Sequence, residues 1–150
     1  MTETIAAREI TYTRVYEAPR ELVWRAWTEP ERLAQWWGPR GWNTKPEDVT
    51  IELAPGGLFR VSSTADDGRE MTNEARYREI VPPEKLVIEE SAEDAWHEGA
   101  HTVVTLTDLG DGRTEMTMRA TVHTTDEMRG AAESGLTSAF DRLAEHLEAR

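Results

Sequence analysis

The sequence predicts an α+β domain: one antiparallel sheet of about seven strands, two short helices after the first strand, and a long C-terminal helix. Three observations predict it. Apolar residues alternate at period two in successive segments between residues 49 and 122, and the segments are separated by the turn signals PGG (55–57), DDG (66–68) and GDG (110–112). The last quarter of the chain carries an apolar stripe at helical spacing. Between the first strand and the alternating segments lies a stretch of 3.6-residue periodicity interrupted by Pro30. A curved sheet has to bury one face, and the terminal helix is the long element available to cover it.

Each element follows from local chemistry. Ile10, Tyr12 and Tyr16 share one face of the first strand, and Arg14 has the same parity. Pro19 sits where the first turn of a helix tolerates proline, and Val23, Ala26 and Trp27 then fall on one helical side. After Pro30, EPERLAQWW reads as a second short helix that Gly38 and Pro39 stop. Val49, Ile51 and Leu53 alternate, and PGG turns the chain into LFRVSST. A long strand around Met71–Val81 leads to Pro82 and Pro83, then to KLVIEES. HTVVTLTDL and RTEMTMRATV pair across GDG, with Met116, Met118, Ala120 and Val122 inward. The final helix, about 22 residues long, is capped by Thr125 or Asp126 and turns Met128, Ala132, Leu136, Phe140, Leu143 and Leu147 to one side.

Bulk composition narrows the function. At 150 residues the chain reads as one domain able to bury roughly 70% of its unfolded surface. A net charge of −12 repels polyanions, so neither nucleic acid nor an anionic membrane surface is an expected partner. No cysteine is present, which removes disulfides, thiolate catalysis and Cys-ligated metals. The start of the chain, MTETIAAREI, lacks a basic-then-apolar leader, and no stretch approaches the ~20 apolar residues of a membrane span, so a cytoplasmic protein is the expectation.

The segments ITYTRVYEAPRELVWRAWTEPERLAQWWGP (10–39), PGG, YREIVPPEKL (77–86), GDGRTEMTM (110–118) and FDRLAEHL (140–147) together resemble the activator of heat-shock protein 90 ATPase homologue family, within the START-like (SRPBCC, Bet v-like) superfamily. The resemblance runs from about Ile10 to Leu147. It implies a helix-grip fold, in which the sheet wraps the C-terminal helix and leaves an apolar cavity. Relatives in the superfamily include lipid and hormone carriers, polyketide cyclases and a co-chaperone domain. Two positions depart from the pattern. Ala75 stands where members often carry glycine, and Leu136 follows Gly135 where members often carry tryptophan.

Trp36, Trp37 and Trp42 fall within seven residues. On a helix, Trp36 lies about 60° to one side of Leu33 and Trp37 about 40° to the other. One reading has all three sealing the short helices against the sheet; the other has at least one lining a ligand cavity or its gate. Arg14, if inward, needs a partner: a structural carboxylate, or a carboxylate- or phenol-bearing ligand. Tyr77 and His123 lie on strands that could face the cavity. HEGAH (97–101) matches the H-E-x-x-H zinc pattern, but Gly99 and the strand that follows place its histidines about 13 Å apart in extended chain, so no metal is expected. No phosphate loop, nucleophile elbow or dinucleotide fingerprint occurs, and no cofactor is expected.

The leading expectation is a non-enzymatic protein holding a small apolar or aromatic molecule between helix and sheet. Its binding residues would be Trp36, Trp37, Phe59, Met71, Tyr77, Met116, Met118, Leu136 and Phe140, with Arg14 as polar anchor. The family resemblance supplies two alternatives. One is a chaperone-binding module. The other is a cyclase-type enzyme in which Arg14, Tyr77 or His123 polarises a carbonyl. The chain is expected as a monomer or a homodimer.

Overall fold

The computed structural model describes residues 6–90 and 101–148 and, within them, every side chain but that of His123. The elements follow in the order β1 (Ala6–Tyr16), α1 (Arg20–Thr28), α2 (Pro30–Leu33), β2 (Trp42–Ile51), β3 (Leu58–Ala65), β4 (Glu70–Val81), β5 (Lys85–Glu90), β6 (His101–Gly110), β7 (Arg113–Thr124) and α3 (Asp126–Glu148). They form one seven-stranded antiparallel sheet in the order β1-β7-β6-β5-β4-β3-β2. Consecutive strands from β2 to β7 are neighbours, as hairpin connections require. β1 and β2 lie at opposite edges, so the chain must cross the sheet between them, and α1 and α2 make that crossing.

One face of the sheet is apolar and inward. Across β1, β7, β6 and β5 the register aligns Tyr12 with Met118, Val104 and Leu86, and Ile10 with Ala120, Thr102 and Ile88. α1 adds Val23, Trp24, Ala26 and Trp27, and α3 adds Ala139, Phe140, Leu143 and Leu147. Apart from Thr102, which is half-buried, these residues belong to one continuous core, and each square ångström of apolar surface removed from water contributes about 25 cal/mol.

Three boundaries depart from the sequence reading. α2 ends at Leu33 rather than running to Gly38: the amides of Gln35 and Trp36 bond the carbonyls three residues back, Arg32 and Leu33, at 3.1 and 3.2 Å. The turn therefore tightens just where the two indoles emerge. Gly38 follows with φ +85°, a conformation that glycine adopts without a Cβ penalty. β2 starts as early as Trp42, and its register against β3 shifts between Thr44 and Val49; Pro46, which has no N–H to give the ladder, lies within the shift. Leu53 falls beyond β2 and is exposed. The turn after it is closed by Gly57, where a Cβ would stand 2.0 Å from the Glu52 carbonyl oxygen. That closeness lets the Gly57 carbonyl accept from the Tyr77 amide at 3.0 Å, which ties the turn to β4.

α3 is 23 residues long and is capped by Thr125, whose hydroxyl accepts from the Met128 amide at 3.2 Å. Its two halves differ. From Ala139 onward the inward side is buried, whereas Ala132 and Leu136 are half-buried and Met128 is exposed. The first half of α3 is held to β1 at its start, by Arg8–Asp126 at 2.8 Å and by Arg129, which donates to the Glu9 carbonyl at 3.2 Å, but its inward side chains are only partly covered.

The last turn of α3 gives a pH dependence. Burial, and secondarily the charge of Arg32, hold the His146 imidazole below its ordinary value of 6.5. The fold disfavours the protonated ring, so this contribution is complete above pH 6.5 and is lost as pH falls below it. His146→Gln should therefore lose less melting temperature than the unmodified protein between pH 7 and pH 5, as followed by circular dichroism.

Candidate functional site

The concave face of the sheet carries a continuous run of rings. Tyr12 on β1 meets Phe140 at 4.9 Å between ring centres, and Phe140 meets Trp27 at 6.1 Å and Trp36 at 5.9 Å. Trp36 and Trp37 are 5.7 Å apart, Trp37 and Phe59 5.4 Å, and Phe59 and Tyr77 6.0 Å. The last two of these contacts are edge-to-face, as is Trp27 with Trp36 at 4.8 Å, a geometry that the ring quadrupole favours. The run spans the molecule from β1 to β4, passing under α3 and along the end of α2.

Tight turns bring the tryptophans into this run and give them different environments. Trp36 is 1% exposed, and its indole N–H donates to the Ala26 carbonyl at 3.0 Å. It is a core residue that locks α2 to α1. Trp37 is half-buried and lies on Phe59. Trp42 is also half-buried, with the Arg69 guanidinium 5.5 Å from its ring centre.

The other expected residues also divide. Met116, Met118 and Phe140 are sealed in the core with Val104, Leu106 and Leu143. Under the second half of α3 the space expected to be hollow is therefore filled by side chains. Phe59 and Tyr77 are buried farther along the face. Trp37, Met71 and Leu136 are half-buried, so each of the three meets solvent.

Arg14 points inward, as its parity requires, and pairs with Asp141 on α3 while donating to the Tyr12 hydroxyl at 3.4 Å. Of the two readings given for this residue, the structural carboxylate is present. The pair is 29% and 48% exposed, so it contributes less than about 1 kcal/mol. A hollow of about 60 Å³ beside it, between Arg14, Tyr16 and Leu147, has room for a water or two and not for an organic ligand.

Two rings of the run, Trp27 and Tyr77, carry a buried polar atom with no hydrogen-bond partner among the described residues, and Tyr77 is the more deeply buried of the two. Tyr77 is fully buried, its hydroxyl meets no partner among the described residues, and burial pushes its phenol well above the usual tyrosine range. The hydroxyl of Tyr16, buried to a similar degree, donates to the Phe140 carbonyl at 3.3 Å. An unmade hydrogen bond in such a place costs about 1–3 kcal/mol.

Arg142 was not among the residues singled out in the sequence. It faces away from the apolar stripe of α3, and no local pattern marks it. Its Nη1 lies 2.8 Å from the Gly38 carbonyl, 3.1 Å from Trp37, 3.3 Å from Trp42 and 3.4 Å from Pro39, and its Nη2 lies 3.3 Å from Gln35. One guanidinium thus gathers the carbonyls left open where α2 ends. The turn that carries Trp37 is held to α3 by this residue and by the Arg40 amide, which donates to the Ser138 hydroxyl at 3.0 Å.

A broad dish of about 740 Å³ lies around Gly56, Glu74, Arg76, Arg78 and Glu89, and Ala75, Tyr77 and Glu90 also line it. Its charged walls pair with one another or with neighbours, as in Arg78–Glu89 at 3.1 Å, and it is not the apolar hollow the sequence led us to expect. Among the described residues no group of His, Asp and Glu is placed to hold a metal ion. The HEGAH segment lies outside the described residues but for His101, which opens β6 and is exposed. No described helix is long and apolar enough to cross a membrane.

Comparison with known proteins agrees with this architecture. The chain superposes on protein NE0264 of Nitrosomonas europaea with a TM-score of 0.77 and 26% identity, covering 94% of each chain. It matches protein CV1439 of Chromobacterium violaceum with a TM-score of 0.82 and 26% identity, over 93% of this chain and 96% of that one. The AHSA1 protein SPO3351 of Silicibacter pomeroyi shares the fold at 18% identity, with a TM-score of 0.77 over 95% and 99% of the two chains. No curated protein matches the sequence. The family model described as Activator of Hsp90 ATPase homolog 1-like protein matches residues 17–148. With that model spanning nearly the whole helix-grip domain, the chain belongs to the Activator of Hsp90 ATPase homolog 1-like family.

Proposed function

We propose that the protein binds a small apolar or aromatic molecule in the groove between the first half of α3, the turn after α2 and the concave face of β3 and β4. The observation that carries this reading is the split in burial along α3. Its second half is packed solid, while Leu136 on its first half stays half-buried, as do Trp37 on the turn after α2 and Met71 on the inward side of β4. An apolar recess with aromatic walls and few polar groups is what small-molecule sites are made of. Trp37 and Phe59 would supply flat walls, and Leu136 and Met71 would supply adaptable apolar contact.

The neutral fluorophore N-phenyl-1-naphthylamine tests this. Its emission should rise saturably with the unmodified protein. Leu136→Trp places an indole in the groove at a half-buried position that tolerates the added volume, and it should weaken the probe about tenfold. Arg78→Ala, on the charged dish, should leave binding unchanged. Equal emission from all three proteins would end the proposal. The chaperone and cyclase alternatives rest on family kinship, and ATPase stimulation of a purified chaperone is the direct assay for the first of them.

A further inference from the structure

The groove ends at a polar group that the fold leaves unanswered. Tyr77 is 0% exposed, its hydroxyl is enclosed, and no described donor or acceptor meets it. It stands on the inward side of β4, two residues from Ala75, which is paired with Phe59 on β3. Ala75 offers only a methyl group between Phe59 and Glu90, its partners on the flanking strands, so the floor beside the Tyr77 ring is shallow. Phe59 packs edge-to-face on Tyr77, and Trp37 packs edge-to-face on Phe59. Trp37 is the one ring of these three that already meets solvent.

From this arrangement we infer that Tyr77 is the polar anchor of the groove, and that the ligand is a neutral, planar aromatic molecule bearing a carbonyl or ether oxygen. The inference rests on the binding reading given above and adds to it the class of ligand. Burial keeps the phenol protonated, so the group on offer is an O–H donor, and its complement is an acceptor. A charged acceptor is disfavoured: bringing a carboxylate into an enclosed aromatic site costs far more than one hydrogen bond returns. Flat walls select a flat ligand, because offset and edge-on aromatic contacts add to the area buried. The ligand reaches the hydroxyl by lifting Trp37 from Phe59 and taking its place over the ring.

9-Fluorenone and fluorene differ by one carbonyl oxygen on the same planar frame, and their binding can be read by quenching of tryptophan fluorescence. The unmodified protein should bind the ketone about tenfold more tightly than the hydrocarbon, the worth of one hydrogen bond to an enclosed donor. Tyr77→Phe should abolish that preference and leave fluorene affinity unchanged. The same variant, without ligand, should melt at or above the temperature of the unmodified protein, since it removes an unpartnered hydroxyl. If fluorene and fluorenone bind alike, or if the preference survives in Tyr77→Phe, the anchor is wrong while the binding reading stands. If Tyr77→Phe melts lower, the hydroxyl has a partner within the fold and the inference fails. If neither compound binds, both readings fall.

Discussion

Phe140→Ala lowers the melting temperature by about 12 °C and stability by about 4 kcal/mol, measured by thermal and urea unfolding followed by circular dichroism. Phe140 is 1% exposed and is the ring at which three elements meet: Tyr12 from β1, Trp27 from α1, and Trp36 from the turn after α2. Removing it takes away the transfer free energy of a benzyl group and leaves a cavity that three stiff rings cannot collapse to fill. Phe140→Leu keeps most of the volume and should cost about 1 kcal/mol. A loss from Phe140→Ala no larger than that of Phe140→Leu would mean that α3 is not anchored there.

Arg142→Met is the second large effect, and its origin is polar. Hydrogen bonds from a charged donor contribute about 1.5–3 kcal/mol, and the half-buried side chain faces five backbone carbonyls. Water can reach some of those oxygens once the guanidinium is gone, so the expected loss is about 2–3 kcal/mol rather than the sum of the contacts. Burial, and secondarily the nearby Arg40, already disfavour the charge on Arg142, so the cation is held there by its acceptors. Methionine retains the stem that packs along α3 and isolates the polar contribution. Amide exchange in residues 35–42 should quicken together with the loss, because that turn is what the guanidinium holds. Arg142→Lys should recover only part, since an ammonium cannot present a planar fork to several carbonyls at once. Unchanged exchange in the turn would assign its order to other contacts.

Much of the fold could be read before any coordinate was known. The hairpins appear because PGG, DDG and GDG punctuate period-two runs, and α3 appears because its stripe recurs every three or four residues over six turns. These are signals between near neighbours, and they survive folding because the turn chemistry is satisfied locally. Less legible were the early start of β2 and the short α2. There the sequence pattern is overridden: by the lost N–H of Pro46 within the shifted register in one case, and by the docking of residues 35–42 onto α3 in the other.

The candidate site divides in the same way. Parity placed Arg14, Met116 and Met118 on the inward face, because side-chain direction in a strand follows from counting. Counting could not say which of them the helix would cover. That depended on how deeply each part of α3 is covered: its inward side is buried from Ala139 onward, where Phe140 is sealed in the core with Met116, while Leu136 and Trp37 stay part-exposed. Nor could it foresee that Asp141 would take up Arg14, or that Arg142 would collect the carbonyls of a turn some hundred residues earlier. The sequence by itself determined the strands, the terminal helix and the side of each strand that is apolar, because these are set by residues a few positions apart. Only the tertiary structure decided which inward rings are packed and which stay part-exposed, and that the Tyr77 hydroxyl meets no partner among the described residues. Both depend on distances between segments far apart in the chain, and those distances are fixed by how α3 lies across the sheet.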